Sequence, residues 1–86
     1  MRATRMLFRT FKGRGFRGDV DAFIPDAPAN AGFCVCYSHI GQHSEASRGY
    51  YLKATRPATP AERLPLVREL QRIYGPIRIL RRMPRR

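Results

Sequence analysis

Residues 59–82 have the sequence TPAERLPLVRELQRIYGPIRILRR, which predicts one helix followed by one strand. Three signals agree on the start of the helix: Thr59 can cap it, Pro60 suits the first helical position, and Glu62 completes a capping box. The Gly75-Pro76 pair predicts its end. This stretch therefore favours a mixed fold over an all-β one.

Apolar residues recur along the predicted helix at the spacing of one helical face. The expected stripe comprises Leu64, Val67, Leu70, Ile73 and Tyr74. Pro65 interrupts this pattern. Because proline removes one backbone hydrogen bond, we expect a kink or a delayed helix start there.

The strand that follows the helix is predicted over Ile77–Arg82, with a basic tail behind it. Strand alternation turns Ile77 and Ile79 towards the core. The same alternation predicts an outward row of Arg78, Leu80 and Arg82. An arginine-bearing sheet face is therefore expected.

The residues before the helix predict further strands, through β-favouring composition and alternation. The segments are Met6–Phe11, Asp19–Ile24 and Phe33–His39, and the turn GRGFRG joins the first two as a hairpin. Val20, Ala22 and Ile24 are expected on one face. In the third strand, Phe33, Val35 and Tyr37 alternate with Cys34, Cys36 and Ser38.

The connecting segments complete the predicted order. Pro25–Gly32 is predicted to be a loop and Ile40–Ser47 a polar turn. Tyr50–Thr55 is predicted as a fourth strand, with a short helix capped by Ser44 as the alternative. The order β-β-β-β-α-β indicates an α+β fold, a small antiparallel sheet of four to five strands with one helix packed on a face. Residues 1–86 are expected to form a single domain with a basic N-terminal segment and a basic C-terminal tail.

Charge is concentrated at the two ends of the chain. Residues 1–18 carry a formal charge of +6, residues 19–69 carry −1 and residues 70–86 carry +6, for a net charge of +11. Neither end contains an acid, and 15 of the 17 basic residues are arginine. A GC-rich genome would also favour arginine, but it would not remove acids from both ends. The segregation predicts a polyanionic or acidic partner.

Arginine suits such a partner because its planar fork of donors matches phosphate and carboxylate. The predicted contacts to nucleic acid or to an acidic partner are Arg5, Arg9, Lys12, Arg14, Arg17, Arg78, Arg81 and Arg82. Phe8, Phe11 and Phe16 are interleaved with the N-terminal basic residues and are candidates for base stacking. The alternative places these phenylalanines in the core.

A polar segment after the third strand is a candidate specificity loop. Tyr37, His39, Gln42 and His43 offer stacking and hydrogen bonds beside a basic background. The alternative is an ordinary hairpin turn.

Cys34, Cys36, His39 and His43 are four zinc-ligand types within ten residues. Closed zinc sites normally draw pairs of ligands from two well-separated turns, so this spacing argues against a metal. His39, His43, Ser44, Glu45 and Ser47 likewise crowd the residue types of a hydrolytic triad into nine residues. We expect no metal, no other cofactor and no catalytic residues.

No apolar run is long enough to span a bilayer. The segment MRATRMLFRTF also lacks the apolar stretch of a signal peptide. We expect a soluble cytoplasmic protein with no membrane partner, and the sequence does not determine its oligomeric state.

Three stretches carry a resemblance to known proteins: GDVDAFIPDAPANAG at 18–32, YSHIGQHSEAS at 37–47 and ATPAERLPLVREL at 58–70. Together they resemble short uncharacterised proteins of phages, prophages and plasmids of proteobacteria, with YSHIGQH as the most specific motif. The Cys34–Cys36 pair is not part of that pattern. The resemblance implies a mobile-element context, in which small proteins often block host machinery, as anti-CRISPR proteins do.

These observations predict a non-enzymatic basic binding protein of a mobile element. It would act as an accessory or anti-defence factor that engages a host nucleoprotein, its nucleic acid or an acidic protein surface. A general nucleic-acid-binding protein of phage replication or packaging is the second hypothesis. A small zinc-dependent protein or hydrolase built on the Cys34–His43 segment is the third.

Overall fold

In the computed structural model a helix packs against one face of a mainly antiparallel sheet, which confirms the predicted α+β fold. The structure describes residues 2–12, 20–38, 42–47, 49 and 53–84. Its strands are β1 Thr4–Phe11, β2 Val20–Ile24, β3 Phe33–Ser38, β4 Gln42–Ser47, β5 Thr55–Pro57 and β6 Ile77–Ile79, and helix α1 spans Pro60–Tyr74.

The sheet has the order β4-β3-β2-β1-β5, and β6 also pairs with β1. The β1–β6 pair is parallel, and the other pairs are antiparallel. The β5 and β6 strands lie end to end along one edge of β1, because the carbonyls of Met6 and Phe8 accept from Leu80 and Ala58. Backbone groups of alternate residues point to the same edge of a strand. Strand β1 is therefore paired on both sides.

The helix-facing side of the sheet carries the larger core cluster. Its buried members are Met6, Phe8, Ala22, Ile24, Tyr37, Ala58, Leu66, Val67 and Leu70. The Tyr37 hydroxyl donates a hydrogen bond to the Glu69 carboxylate, which joins β3 to the helix. This polar link satisfies a phenol that is almost wholly removed from water.

A second cluster lies on the opposite side of the sheet. Leu7, Phe23, Cys34 and Cys36 are buried there, and Leu80 and Met83 pack against them. This arrangement confirms the predicted alternation of β3. The outward position predicted for Leu80 is wrong, because the segment after β6 covers this face.

The helix confirms its predicted bounds but not its whole apolar stripe. Leu66, Val67 and Leu70 are buried, whereas Leu64 and Ile73 are 45% and 52% exposed. Successive helical residues are roughly 100° apart, so Leu64 points about 120° away from Leu70. Pro65 lies inside the helix and is exposed, and the helix starts at Pro60 without delay.

The structure departs from two predictions in the middle of the chain, a turn and a strand. Ile40–Ser47 is not a turn throughout, because β4 forms there and pairs with β3. Its polar composition suits a strand at the edge of a sheet. In the predicted strand Tyr50–Thr55, Lys53 and Ala54 are helical, and β5 begins only at Thr55. Residues 50–52 lie outside the described part of the chain.

The last strand is shorter than predicted, since β6 ends at Ile79 and not at Arg82. The turn before it depends on Gly75, whose φ is +79°. Side chains are strongly disfavoured in that region of backbone space. The Gly75 N–H donates to the Gln71 carbonyl at 2.9 Å and closes the helix.

The start of the helix is locked by a capping box and an ion pair. The Thr59 hydroxyl accepts from the Glu62 N–H at 3.2 Å, and the Glu62 carboxylate accepts from the Thr59 N–H at 2.8 Å. Arg56 of β5 donates from Nη1 and Nη2 to the two oxygens of the same carboxylate, at 3.0 and 2.7 Å. These bonds, Arg56 first and Thr59 second, lower the pKa of Glu62 to about 2.

Among the described residues, no helix is both long and apolar enough to cross a lipid bilayer.

Replacing Leu70 with alanine should destabilise the protein by about 2–5 kcal/mol, because the side chain is fully buried. Ile73→Ala is the matched control on the same helix and should change stability by about 0.5 kcal/mol or less. Urea unfolding followed by circular dichroism measures both. Equal losses in the two variants would contradict the packing of α1 through Leu70.

The Glu62 carboxyl should titrate near pH 2 in the folded protein. Its ordinary value is 4.5, so its contribution to stability is complete above pH 4.5 and is lost as the pH falls from 4.5 to about 2. Arg56→Gln should raise the pKa of Glu62 towards its ordinary value, and Arg68→Gln should not. An NMR titration of the side-chain carboxyl carbon measures this. An unchanged pKa in Arg56→Gln would assign the shift to the cap alone.

Candidate functional site

The parallel pairing of β1 and β6 brings the two basic ends of the chain together. Arg5 of β1 lies opposite Arg78 of β6 in this register. The pairing is held by backbone bonds from the Thr4 N–H to Pro76 at 3.0 Å and from the Leu80 N–H to Met6 at 2.8 Å. Partners across a ladder share a face of the sheet, so the two guanidinium groups leave the sheet on one side.

Asp26 fixes the guanidinium of Arg5. The Arg5 Nε donates to one carboxylate oxygen at 2.9 Å and Nη2 donates to the other at 2.7 Å. This hydrogen-bonded pair holds the pKa of the Asp26 carboxyl below its usual range, and the charge of Arg2 adds to the effect. Both partners are exposed, so the pair contributes little to stability. Its consequence is a defined orientation of the Arg5 fork.

These residues line an open cavity of about 480 Å³. Its lining consists of Arg2, Ala3, Arg5, Asp26 and Arg78. Among the described lining residues, three guanidinium groups against one carboxylate give a formal charge of +2. Guanidinium forks bind phosphate and carboxylate oxygens in pairs, so the cavity is suited to an oxyanion.

The chain continues from β6 into two further exposed arginines, Arg81 and Arg82. Leu80 before them and Met83 after them pack on the second core cluster. This anchoring holds the intervening arginines against the sheet. Within the described residues, neither they nor Arg78 form an ion pair with an acid.

Arg9 occupies a different environment from the one predicted. It is buried, and its Nε donates to the Thr55 hydroxyl at 2.9 Å while Nη2 donates to the Thr55 carbonyl at 2.7 Å. The side chain therefore joins β1 to β5. Because it is buried and its guanidinium donates within the protein, the structure corrects its assignment as a surface contact.

The other N-terminal residues divide by position. Lys12 is exposed at the end of β1, whereas Arg14, Arg17 and Phe16 lie outside the described residues. Phe8 is buried in the helix-facing core and is not available for stacking, as the core alternative predicted. Phe11 is half-buried.

The predicted specificity loop is not a single loop. Tyr37 belongs to β3, is buried, and donates to Glu69, so it cannot stack on a base. Gln42 and His43 lie in β4, where they pair with Ser38 and Tyr37. His39 falls outside the described residues. The structure therefore corrects the stacking role of Tyr37.

Cys34 and Cys36 are buried with Leu7 and Phe23 and form no disulfide bond. In the part of the chain that the structure describes, no group of three or more His, Cys, Asp or Glu side chains is placed to hold a metal ion.

Sequence reasoning missed Arg2 and Asp26 as members of the cavity. Asp26 follows β2 in a proline-containing segment that has the composition of a loop, and nothing local connects it to Arg5. The signal lies only in the pairing of β1 with β2, which places the end of β2 beside the start of β1.

No protein-family model matches the chain, and comparison with curated proteins and with solved structures also gives no significant match.

Arg9→Gln should cost about 1–3 kcal/mol of stability, because it leaves buried partners on Thr55 without their donor. Lys12→Gln, an exposed change of the same charge near the end of the same strand, should cost about 0.5 kcal/mol or less. Urea unfolding measures both. Unchanged stability in Arg9→Gln would contradict its structural role.

Proposed function

We propose that this protein is a non-enzymatic binding protein that engages nucleic acid through the phosphate backbone. Arg2, Arg78, Arg81 and Arg82 contact phosphates, and Arg5, whose Nε and Nη2 donate to Asp26, contributes the remaining N–H groups of its guanidinium. One observation carries the proposal: the two acid-free ends of the sequence converge at the β1–β6 pair and line one positively charged cavity.

The fixed arrangement of these arginines favours phosphate binding more than mobile surface arginines would. Arg5 is already oriented by two hydrogen bonds, so less side-chain freedom is lost when it meets an anion. Asp26 lowers the total charge of the cavity, yet it leaves two more guanidinium groups on the same lining. A phosphate with several oxygens can accept from more than one fork at once.

The surroundings of the cavity favour nucleic acid over an acidic protein. Protein interfaces have an apolar and aromatic centre with a polar rim. Among the described residues, the large exposed apolar side chains are Phe33, Leu64, Ile73 and Ile79. Of these, Ile79 alone neighbours Arg78 in β6, so the described part of the basic surface has no broad patch of large exposed apolar side chains.

The biological setting that we propose follows from the resemblance to short proteins of mobile elements. The protein would act in the cytoplasm of a bacterial host as an accessory or anti-defence factor. Its positive charge suits binding to the nucleic acid of a host nucleoprotein. It does not suit mimicry of DNA, because DNA is negatively charged. Service in phage replication or packaging would use the same surface, and the identity of neighbouring genes distinguishes the two settings.

Binding should weaken steeply as salt rises, because each neutralised phosphate releases counterions. Replacing Arg78, Arg81 and Arg82 together with glutamine should reduce the slope of log affinity against log salt by about 2–3. The matched control is Lys53→Gln, Arg68→Gln and Arg72→Gln, an exposed triple change of equal charge, which should leave most of the slope intact. Fluorescence anisotropy with single-stranded and duplex oligonucleotides measures it.

Equal loss of slope in both triple variants would mean that net charge, and not this surface, determines binding. Absence of binding to either oligonucleotide at low salt would overturn the proposal and leave an acidic protein as the partner.

A further inference from the structure

A groove opens where β5 and β6 end facing each other along β1. Strand β5 runs antiparallel to β1 and ends at Pro57, opposite Arg9. Strand β6 runs parallel to β1 and ends at Ile79, opposite Met6. The two strands therefore approach from opposite directions and stop short of each other. Leu7 and Phe8 of β1 line the gap between them.

The groove has a volume of about 450 Å³, and its described lining combines six apolar residues with two arginines. Pro57 and Ala58 form one side, and Ile79 and Leu80 form the other. Pockets that bind small molecules span roughly 300–1,000 Å³ and are lined mainly by apolar groups with a few polar ones. The groove thus has the size of a site for one ring-shaped group.

Two arginines complete the lining, and no acid does among the residues that the structure describes. Arg63, from the first turns of α1, places Nη1 3.5 Å from the Ala58 carbonyl on one side of the groove. Arg81, on the other side, is exposed two residues after the end of β6. Apolar walls between two cations suit a ligand that combines a flat apolar ring with negative charge on either side of it. A nucleotide within a strand has this combination.

The groove and the basic cavity are lined by neighbouring residues of β6. Arg78, which lines the cavity, and Ile79, which lines the groove, are neighbours in β6. Adjacent residues of a strand point to opposite faces, so a ligand that contacts both passes around the edge of the sheet. A flexible single strand can follow such a path, whereas a stiff duplex cannot fold around one strand.

We infer that this groove receives one unpaired base of a single-stranded nucleic acid, with Arg63 and Arg81 on the adjacent phosphates. The inference rests on the proposed function and adds to it a preference for single strands. A base in a duplex is stacked on both faces, so an unstacked base alone can enter between apolar walls.

The test compares three fluorescent probes in anisotropy titrations: a deoxythymidine oligonucleotide, a strand of equal length with abasic sites at every position, and a duplex of equal length. The abasic strand keeps the phosphates and removes the bases. The wild-type protein should bind the deoxythymidine strand at least about fivefold more tightly than the abasic strand. It should also prefer the deoxythymidine strand to the duplex.

Ile79→Ser removes one apolar wall at a position that is 39% exposed. It should lower affinity for the deoxythymidine strand about fivefold and leave affinity for the abasic strand unchanged. Ile73→Ser, the same change at an exposed position of α1 that does not line the groove, should alter neither.

A second measurement does not depend on whether the variant folds. In the wild-type protein, the methyl NMR signals of Ile79 should move when the deoxythymidine strand is added and stay in place with the abasic strand.

The outcomes separate the inference from the proposed function. Equal binding of the deoxythymidine and abasic strands, with unmoved Ile79 methyl signals, would overturn the base-binding groove and leave phosphate binding standing. Preference for the duplex would also overturn it. Failure of all three probes to bind would overturn both.

Discussion

Strand β1 is the constraint on which the rest of the structure depends, because both of its edges and both of its faces are occupied. Its one edge pairs with β2, and its other edge is divided between β5 and β6. Met6 and Phe8 face the helix, while Leu7 lies in the second cluster. Eight residues thus anchor every described element except the outer pair of β3 and β4. A small domain has few buried side chains. Because β1 contributes to the core on both of its faces, it stabilises most of the fold with few residues.

The candidate site follows from this division of one edge. The β6 strand can reach β1 only after α1 has carried the chain back past the sheet, and it then runs parallel to β1 with Arg78 against Arg5. Packing like charges together is unfavourable. Asp26 offsets part of this repulsion, and burial of Leu80 against the second cluster favours the same placement. The basic surface is therefore a product of the core packing and not an appendage to it.

Local signals in the sequence were sufficient for α1 and for the first three strands. Thr59, Glu62 and Gly75 cap the helix through contacts within one turn, so the helix ends can be recognised without knowledge of the fold. Strand β4 was not predictable in this way, because an edge strand with one neighbour needs no apolar alternation. Leu66 was missed for a related reason. Leu64 and Leu66 are both compatible with a helical stripe, and the contact with the sheet decides which of them is buried.

The same limit applies more strongly to the site. Arg5 and Arg9 are four residues apart in β1 and occupy the same face of the strand by alternation. Their environments nevertheless differ: Arg5 forms an ion pair with Asp26 at the surface, and Arg9 is buried and donates to Thr55. The difference arises because β6 lies beside Arg5 and β5 lies beside Arg9, and both strands come from distant parts of the chain. Composition therefore identifies the charge that a partner would meet, whereas the pairing of β1 determines which arginines are free to meet it.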